Sequence, residues 1–187
     1  MLVVLFFQEV AFMVYPVIWA FYTIAKFGWE EWLVGLSLGA FGVMMALSQG
    51  VLIRVVIPRL GEQRTAILGL SMEFLSFVGI AFAPATWVIF ALLPLSAVGM
   101  LAGPAMQGIM SRAVPDNAQG ELQGVVSSVR AIASILAPSV MVGLFWVFSE
   151  EGWSFTFPGA PFVSSALLML IAIRIMWGYG KGNAHKR

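Results

Sequence analysis

Four ionisable side chains stand inside strongly apolar stretches of the sequence: Glu9, Glu73, Arg130 and Arg174. A charge in an apolar medium is costly, so such a group pairs with an opposite charge, faces a water-filled cavity or exchanges a proton. These residues therefore predict ion-pair or proton chemistry in a largely non-aqueous setting.

Two roles are open for the carboxylates. In the structural account, Arg130 is a charge partner that neutralises a carboxylate, and the pair fixes helix packing. In the functional account, a carboxylate takes up and releases a proton during transport, because burial favours the neutral form of a carboxyl group. Glu73 is the first candidate for this proton coupling. Glu9 is the second, since it could instead line the mouth of a cavity.

Neutral amides form a second group of candidates. Gln49 and Gln107 are substrate-contact candidates, and Gln123 is a further amide near an apolar run. Each could contact a substrate or simply bond a neighbouring helix.

The sequence lacks the residues that other classes of chemistry require. The chain has no cysteine, and its single histidine, His185, lies in a polar tail. No phosphate-binding loop and no cluster of metal ligands stands out, so we expect neither an enzyme nor a metal site. The net charge is +1 with basic residues in short clusters, and we expect no nucleic-acid partner.

Composition identifies the medium that surrounds these residues. Hydrophobic residues make up 60% of the chain and charged residues only 10%, and the mean hydropathy is +0.95. A soluble domain could not build a solvated surface from this composition. The sequence therefore predicts an all-α integral membrane protein whose lipid contacts replace contacts with water.

Six stretches reach the roughly 20 apolar residues that a helix needs to cross a bilayer. They are 2–25, 33–53, 66–84, 86–111, 121–148 and 161–179. The connectors between them are short and polar, including 54–64 and the tight turn at Pro84-Ala85. Four prolines, Pro16, Pro94, Pro104 and Pro138, fall inside the predicted helices, where each removes a hydrogen bond and usually kinks the axis.

Small residues recur at intervals of four. The pairs are Gly35 with Gly39, Gly99 with Gly103, and Gly120 with Gly124, and Gly42, Ala46 and Gly50 continue the pattern. This spacing allows close helix–helix approach in lipid. It predicts tight structural packing, with a sliding, gate-forming contact as the alternative.

Basic residues predict the orientation. Counting alternate connectors, one side receives Arg54, Arg59, Arg64, Arg112, Lys181, Lys186 and Arg187, and the other receives only Lys26. The positive-inside rule makes the first side cytoplasmic. We therefore expect a multi-pass protein of the cell (inner) membrane with both termini in the cytoplasm. The opposite connectors hold Glu30, Glu31, Glu150 and Glu151, with Trp29, Trp32, Trp87 and Trp153 as an expected interfacial belt.

Depth places three of the ionisable residues together. Glu73 lies about eight residues beyond the expected cytoplasmic start of its helix, roughly 12 Å deep at 1.5 Å per residue. Glu9 and Arg130 reach a similar depth from the same side. We therefore expect all three in one layer of the bundle, while Arg174 lies near a helix end and extends toward the interface.

Several ordered segments resemble the second half of tetracycline/proton antiporters, in the drug–proton antiporter branch of the major facilitator superfamily. They are Phe27-Gly28-Trp29, Val34-Gly35-Leu36-Ser37-Leu38, Arg59-Leu60-Gly61-Glu62, Pro104 to Ser111, and Gln119 to Gly124. Together they cover nearly the whole chain.

The resemblance implies that residues 1–187 form the C-terminal six-helix half of a twelve-helix transporter. Such a protein exchanges a drug-like compound, often a metal–tetracycline complex, for a proton by alternating access. Its energy source would be the proton gradient, with no cofactor. The missing N-terminal half, or a second copy of the chain, would be its partner.

The resemblance also implies roles for particular residues. Glu73 falls where the family has a membrane-embedded carboxylate, although the tetracycline pumps carry the shorter aspartate there. Arg59, Gly61 and Arg64 fit a degenerate copy of the superfamily's cytoplasmic loop signature, in which Pro58 replaces the usual acidic residue.

Two alternatives to drug efflux stay open. One is export of another small amphipathic compound or a sugar by the same mechanism. The other is a non-transporting membrane assembly or regulatory protein that retains the fold.

Overall fold

A computed structural model describes residues 1–149 and 156–184, with side chains up to residue 179. The described residues form six long helices and no strand. The helices are α1 (Leu2–Phe27), α2 (Glu31–Leu60), α3 (Glu62–Ala81), α4 (Thr86–Arg112), α5 (Gln119–Ser149) and α6 (Ala160–Ala184). Each is long and apolar enough to cross a membrane, with α6 doing so over Ala160–Tyr179. The prediction of an all-α membrane protein with six spans is confirmed.

The predicted connector at 54–64 is wrong. The helix α2 continues through Arg54 and Arg59 to Leu60, and α3 already begins at Glu62. Only Gly61 separates the two helices, with a positive φ of 77° that a glycine adopts without strain. Charged residues mark the end of an apolar run, but arginine is a good helix former and the helix extends beyond the apolar part.

Two of the four prolines accompany interruptions in the membrane helices. The helix α1 breaks at Met13, between Leu2–Phe12 and Val14–Phe27, and Pro16 has no N–H for the Phe12 carbonyl. The helix α4 breaks at Met100-Leu101, between Thr86–Gly99 and Ala102–Arg112, and Pro104 has no N–H for the Met100 carbonyl. Pro94 and Pro138 lie within uninterrupted helical segments.

A third irregularity is a π-helical segment in α2, Ser48–Leu52, which the sequence analysis did not anticipate. The Ser48 hydroxyl donates a hydrogen bond of 2.7 Å to the Ala97 carbonyl on α4. Gln49 belongs to this segment, is exposed and lines the cavity described below.

Helix α3 packs against both α4 and α6, α1 packs against α5 and α6, and α2 packs mainly on α4. The α3–α4 contact is especially close at Gly69, where a Cβ atom would lie 2.6 Å from the Ala102 amide nitrogen. Glycine is therefore required at that crossing. Almost none of the membrane span of α2, and little of that of α5, is buried.

The predicted tight packing of the small-residue spacings is mostly absent within the chain. Among the described residues, no neighbouring atom lies within 4 Å of a Cβ built on Gly35, Gly39, Gly42, Gly50, Gly103, Gly120 or Gly124. Of the glycines in these patterns, only Gly99 makes a close contact with a described residue. The reason is that α2 and α5 turn these stripes away from the bundle, so spacing alone did not identify the buried face.

The bundle has two ends, which we name by their residues. The basic end holds Gly61, between α2 and α3, and Pro115, between α4 and α5. The Trp29 end holds Gly28 and Pro84, between α1 and α2 and between α3 and α4.

One tryptophan does not belong to the expected belt. Trp29 is buried, donates a 2.9 Å hydrogen bond to the Thr86 hydroxyl and stacks on Phe90. Trp32 and Trp87 are exposed at the same end. The predictions for Glu150, Glu151, Trp153, His185, Lys186 and Arg187 lie outside the described residues, as does the side chain of Lys181.

Candidate functional site

A cavity of about 580 Å³ lies in the half of the bundle nearer the basic end. Five of the membrane helices, interrupted α1 and α4 among them, bring polar side chains to its wall. Its lining consists of Gln8, Glu9, Phe12, Gln49, Glu73, Met100, Gly103, Pro104, Gln107, Gln123 and Arg130. This volume is in the range of sites that hold small organic ligands.

Glu73 lies at the deep part of this cavity, in the middle of α3. Its exposed fraction is 1%, and neither carboxylate oxygen has a hydrogen-bond partner among the described residues. Buried polar groups are almost always paired, because an unpaired one loses its hydration without compensation. An orphaned carboxyl group of this kind can bind a proton, a cation or a hydrogen-bond donor of a ligand.

Arg130 on α5 pairs with Glu9 on α1 and not with Glu73. The Arg130 Nε donates to a Glu9 carboxylate oxygen at 2.9 Å. The side chains are 52% and 21% exposed respectively, so solvent weakens the attraction and the pair contributes little to stability. Residue depth placed all three groups in one layer, and the rotation of the helices then decided which two meet.

The amides predicted from the sequence also reach the cavity. Gln49, Gln107 and Gln123 all line it, and Gln8 joins them from α1. The side-chain oxygen Oε1 of Gln8 is buried and has no hydrogen-bond partner among the described residues. The wall therefore combines amide donors and acceptors with one unpaired carboxyl group, a set suited to an amphipathic ligand with several hydrogen-bonding groups.

Gly99, the last residue before the break in α4, faces Glu73. A Cβ at Gly99 would overlap the Glu73 carboxylate, and would lie 3.1 Å from the Glu73 Cβ. Gly103, one turn further on the same helix, has open space at its Cβ position. The absence of a side chain at Gly99 is therefore what allows the carboxyl group to lie against α4.

The residues of the predicted loop signature lie away from the cavity. Arg59, Gly61 and Arg64 are exposed at the basic end and do not line it. The contact that forms there instead is an ion pair of 2.9 Å between Glu62 at the start of α3 and Arg112 at the end of α4. Gly108 leaves room for the Glu62 carboxylate beside it.

Aromatic side chains close the cavity toward the Trp29 end. The ring of Tyr15 contacts Phe77 and Phe162 at centroid distances of 5.4 and 6.2 Å. Phe162 also packs on Tyr22 at 4.7 Å. These four buried rings form an aromatic layer between the polar cavity and the Trp29 end.

A cluster of hydroxyl groups was missed by the sequence analysis, which considered only charged and amide side chains. The Tyr15 hydroxyl donates to Ser96 at 2.9 Å, and Ser96 shares a hydrogen bond with Ser76. All three side chains are buried. The signal available in the sequence was the presence of hydroxyl side chains within apolar helices.

These features describe a multi-pass membrane protein with a polar central cavity formed by interrupted helices. Comparison with known sequences gives the family. The profile of the Major Facilitator Superfamily matches residues 1–138, and the chain belongs to this superfamily.

The similar curated proteins include several tetracycline resistance proteins. The class C protein of Escherichia coli is 30% identical over 92% of this chain and 42% of its own length. The class G protein of Vibrio anguillarum is 35% identical over 85% of this chain and 39% of its own. The resemblance predicted from the sequence is confirmed. The chain spans about two fifths of the length of these relatives.

Proposed function

We propose that this chain is the C-terminal six-helix half of a proton-coupled antiporter that exports a tetracycline-like, amphipathic compound. The observation that carries the proposal is the orphaned Glu73 carboxyl group in a cavity whose lining includes four side-chain amides. The similarity to tetracycline resistance proteins supports the choice of substrate class.

Glu73 is the proposed proton carrier. Having no hydrogen-bond partner in the described part of the chain, it is free to exchange a proton for a donor group of the ligand. Binding one therefore excludes the other, which is the requirement for antiport. Glu9 is occupied by Arg130, and we assign that pair to the mouth of the cavity. Gln49 and Gln107 are proposed substrate contacts.

Alternating access needs a second wall for the cavity. In transporters of this architecture the site lies between two repeats near the midplane. The low burial of α2 and α5 supports a partner six-helix half against these helices. The proton gradient would supply the energy, with no cofactor.

The distribution of basic residues supports the sidedness. Arg54, Arg59, Arg64 and Arg112 belong to the basic end, and Lys26 lies at the Trp29 end. The positive-inside rule then makes the basic end cytoplasmic in a cell (inner) membrane. In this arrangement the cavity faces the cytoplasm and the aromatic layer closes it on the outer side.

The test is Glu73→Gln in the intact transporter, assayed in proteoliposomes with an imposed proton gradient and magnesium plus tetracycline. We expect proton-driven transport to be abolished while the protein level is unchanged, because the amide cannot carry a proton. Glu121→Gln, which alters an exposed carboxylate on α5, is the matched control and should transport normally. Unchanged transport by Glu73→Gln would contradict the assignment.

The same assay tests the substrate. Suppose that tetracycline elicits no proton flux in the unaltered protein, but another compound elicits a flux that Glu73→Gln abolishes. The antiport mechanism then stands, and that compound replaces tetracycline as the substrate. If the unaltered protein shows no coupled flux with any amphipathic compound, a non-transporting role takes its place.

A further inference from the structure

The hydroxyl cluster of Tyr15, Ser76 and Ser96 joins three helices directly beside Glu73. Tyr15 comes from α1, Ser76 from α3 and Ser96 from α4. Glu73 and Ser76 are three residues apart on the buried face of α3. Across the interface, Gly99 faces Glu73 and Ser96 faces Ser76. The cluster is thus the next layer of the α3–α4 contact, one helical turn beyond the carboxyl group toward the Trp29 end.

The bonding of this cluster differs from that of other buried hydroxyl groups in the described part of the bundle. Ser37, Ser48 and Ser165 each donate to a backbone carbonyl, those of Val34, Ala97 and Ala11. Such a bond has one fixed direction. Tyr15, Ser96 and Ser76 instead bond hydroxyl to hydroxyl. Ser96 has in addition a long bond of 3.3 Å to the Leu92 carbonyl.

A hydroxyl-to-hydroxyl chain can reverse direction. Each hydroxyl carries one donor and two acceptor positions and rotates to suit its neighbours, and either serine of the Ser76–Ser96 pair can be the donor. Reversal is what a chain needs in order to pass a proton and then return to its starting state.

We propose that Tyr15, Ser96 and Ser76 form a proton relay that loads Glu73 from the Trp29 end of the bundle. This inference rests on the proposed role of Glu73. Water reaches Tyr15 when the aromatic layer of Phe77 and Phe162 opens. The three residues act as proton-transfer groups, and nothing in the relay binds the exported compound.

The step conserves protons and breaks no bond between heavy atoms. An excess proton on water passes to Tyr15 as Tyr15 gives its own proton to Ser96. Ser96 gives its proton to Ser76, and Ser76 gives its proton to the Glu73 carboxylate. Among the residues that the structure describes, Glu73 has no hydrogen bond to lose before it turns toward Ser76. Afterwards every hydroxyl is neutral, and the hydroxyls rotate back before the next cycle.

The relay is tested with Tyr15→Phe and Ser96→Ala in the intact transporter. Two matched controls remove equally buried hydroxyls elsewhere. Tyr22→Phe removes one that donates to the Ile80 carbonyl beyond Phe162, and Ser165→Ala removes one bonded to Ala11. Tyr15→Phe retains the ring contacts of Tyr15, so it tests the hydroxyl alone.

Two transport modes and one isotope measurement distinguish a proton-transfer role of these hydroxyls from a purely structural role. Proton-driven uptake of magnesium–tetracycline should fall by about a hundredfold or more in both relay variants, as for loss of a proton-transfer group. Tetracycline exchange at equal pH, which requires no proton loading, should be unchanged. The ratio of proton-driven rates in H₂O and D₂O should rise in the relay variants only, because proton transfer becomes rate-limiting.

These measurements distinguish failure of the relay from failure of the proposed function. If the relay variants match their controls while Glu73→Gln abolishes driven uptake, the relay is wrong and the role of Glu73 stands. If both relay variants lose exchange together with driven uptake, the cluster serves folding and the relay is also wrong. If Glu73→Gln itself transports normally, the proposed function falls first.

Discussion

Gly99 determines how closely the Glu73 carboxyl group lies against α4. Gly99→Ala should lower the free energy of unfolding by about 1–3 kcal/mol, the usual cost of an added methyl in a filled interior, because the new Cβ overlaps the carboxylate. Transport should fall as Glu73 is displaced. Thermal unfolding in detergent and proton-driven uptake measure the two effects.

Gly103→Ala is the control for this substitution. It lines the same cavity, and its Cβ position is open. Alanine should favour the helix there by up to about 1 kcal/mol. Equal unfolding temperatures for the two alanine variants would show that Glu73 moves aside freely and that Gly99 does not position it.

The sequence identified the residues of the site better than it identified which of them form the ion pair. Counting residues from a helix end placed Glu9, Glu73 and Arg130 at one depth, because rise per residue is nearly constant. It could not tell which carboxylate Arg130 reaches, since that depends on how each helix is rotated against its neighbours. The hydroxyls of Tyr15 and Ser96 were missed because single hydroxyls are common in membrane helices and carry little signal alone.

Among the helices, the interruption of α4 is the feature that opens the cavity beside Glu73. Met100, Gly103 and Pro104 all line the cavity at this break. Pro104→Ala restores an N–H for the Met100 carbonyl, and one recovered hydrogen bond should raise the free energy of unfolding by about 1 kcal/mol. A straighter α4 should also slow transport by narrowing the cavity.

Hydrogen–deuterium exchange across the break measures the effect on the helix. Peptides covering residues 98–106 should become more protected in Pro104→Ala. Pro94→Ala, in the uninterrupted segment Thr86–Gly99, controls for proline removal on the same helix and should leave the break as it is. Unchanged protection in Pro104→Ala would mean that packing against Gly69, and not the proline, interrupts the helix.

Apolar runs predicted the number of helices and the tight α3–α4 turn, because a bilayer requires about 20 apolar residues for each span. Helix ends were less accurate. Arg54 and Arg59 continue α2 beyond its apolar part, and the π-helical segment at Ser48–Leu52 has no distinctive composition. Local backbone departures of this kind depend on tertiary contacts such as the Ser48 bond to Ala97.

At the scale of the whole molecule, the exposed surface of α2 is organised into two stripes. At 100° per residue, Gly35, Gly39, Gly42, Ala46 and Gly50 fall on one side, opposite the buried Ser37 and Ser48. The large apolar residues Leu36, Val43 and Leu47 lie about a quarter turn away and are exposed. Gln49 adjoins the small-residue stripe and lines the cavity.

This arrangement predicts different surroundings for the two stripes in the intact transporter. Small residues allow the close backbone approach of a helix from the partner half, whereas large apolar residues suit lipid. Gly39→Leu should therefore destabilise the assembled protein by about 1–3 kcal/mol through overpacking and reduce transport. Leu36→Phe, on the lipid-facing stripe, should be neutral. Because leucine favours a helix more than glycine does, any loss in Gly39→Leu must come from the contact. If Gly39→Leu unfolds and transports like Leu36→Phe, the partner half does not cover this stripe.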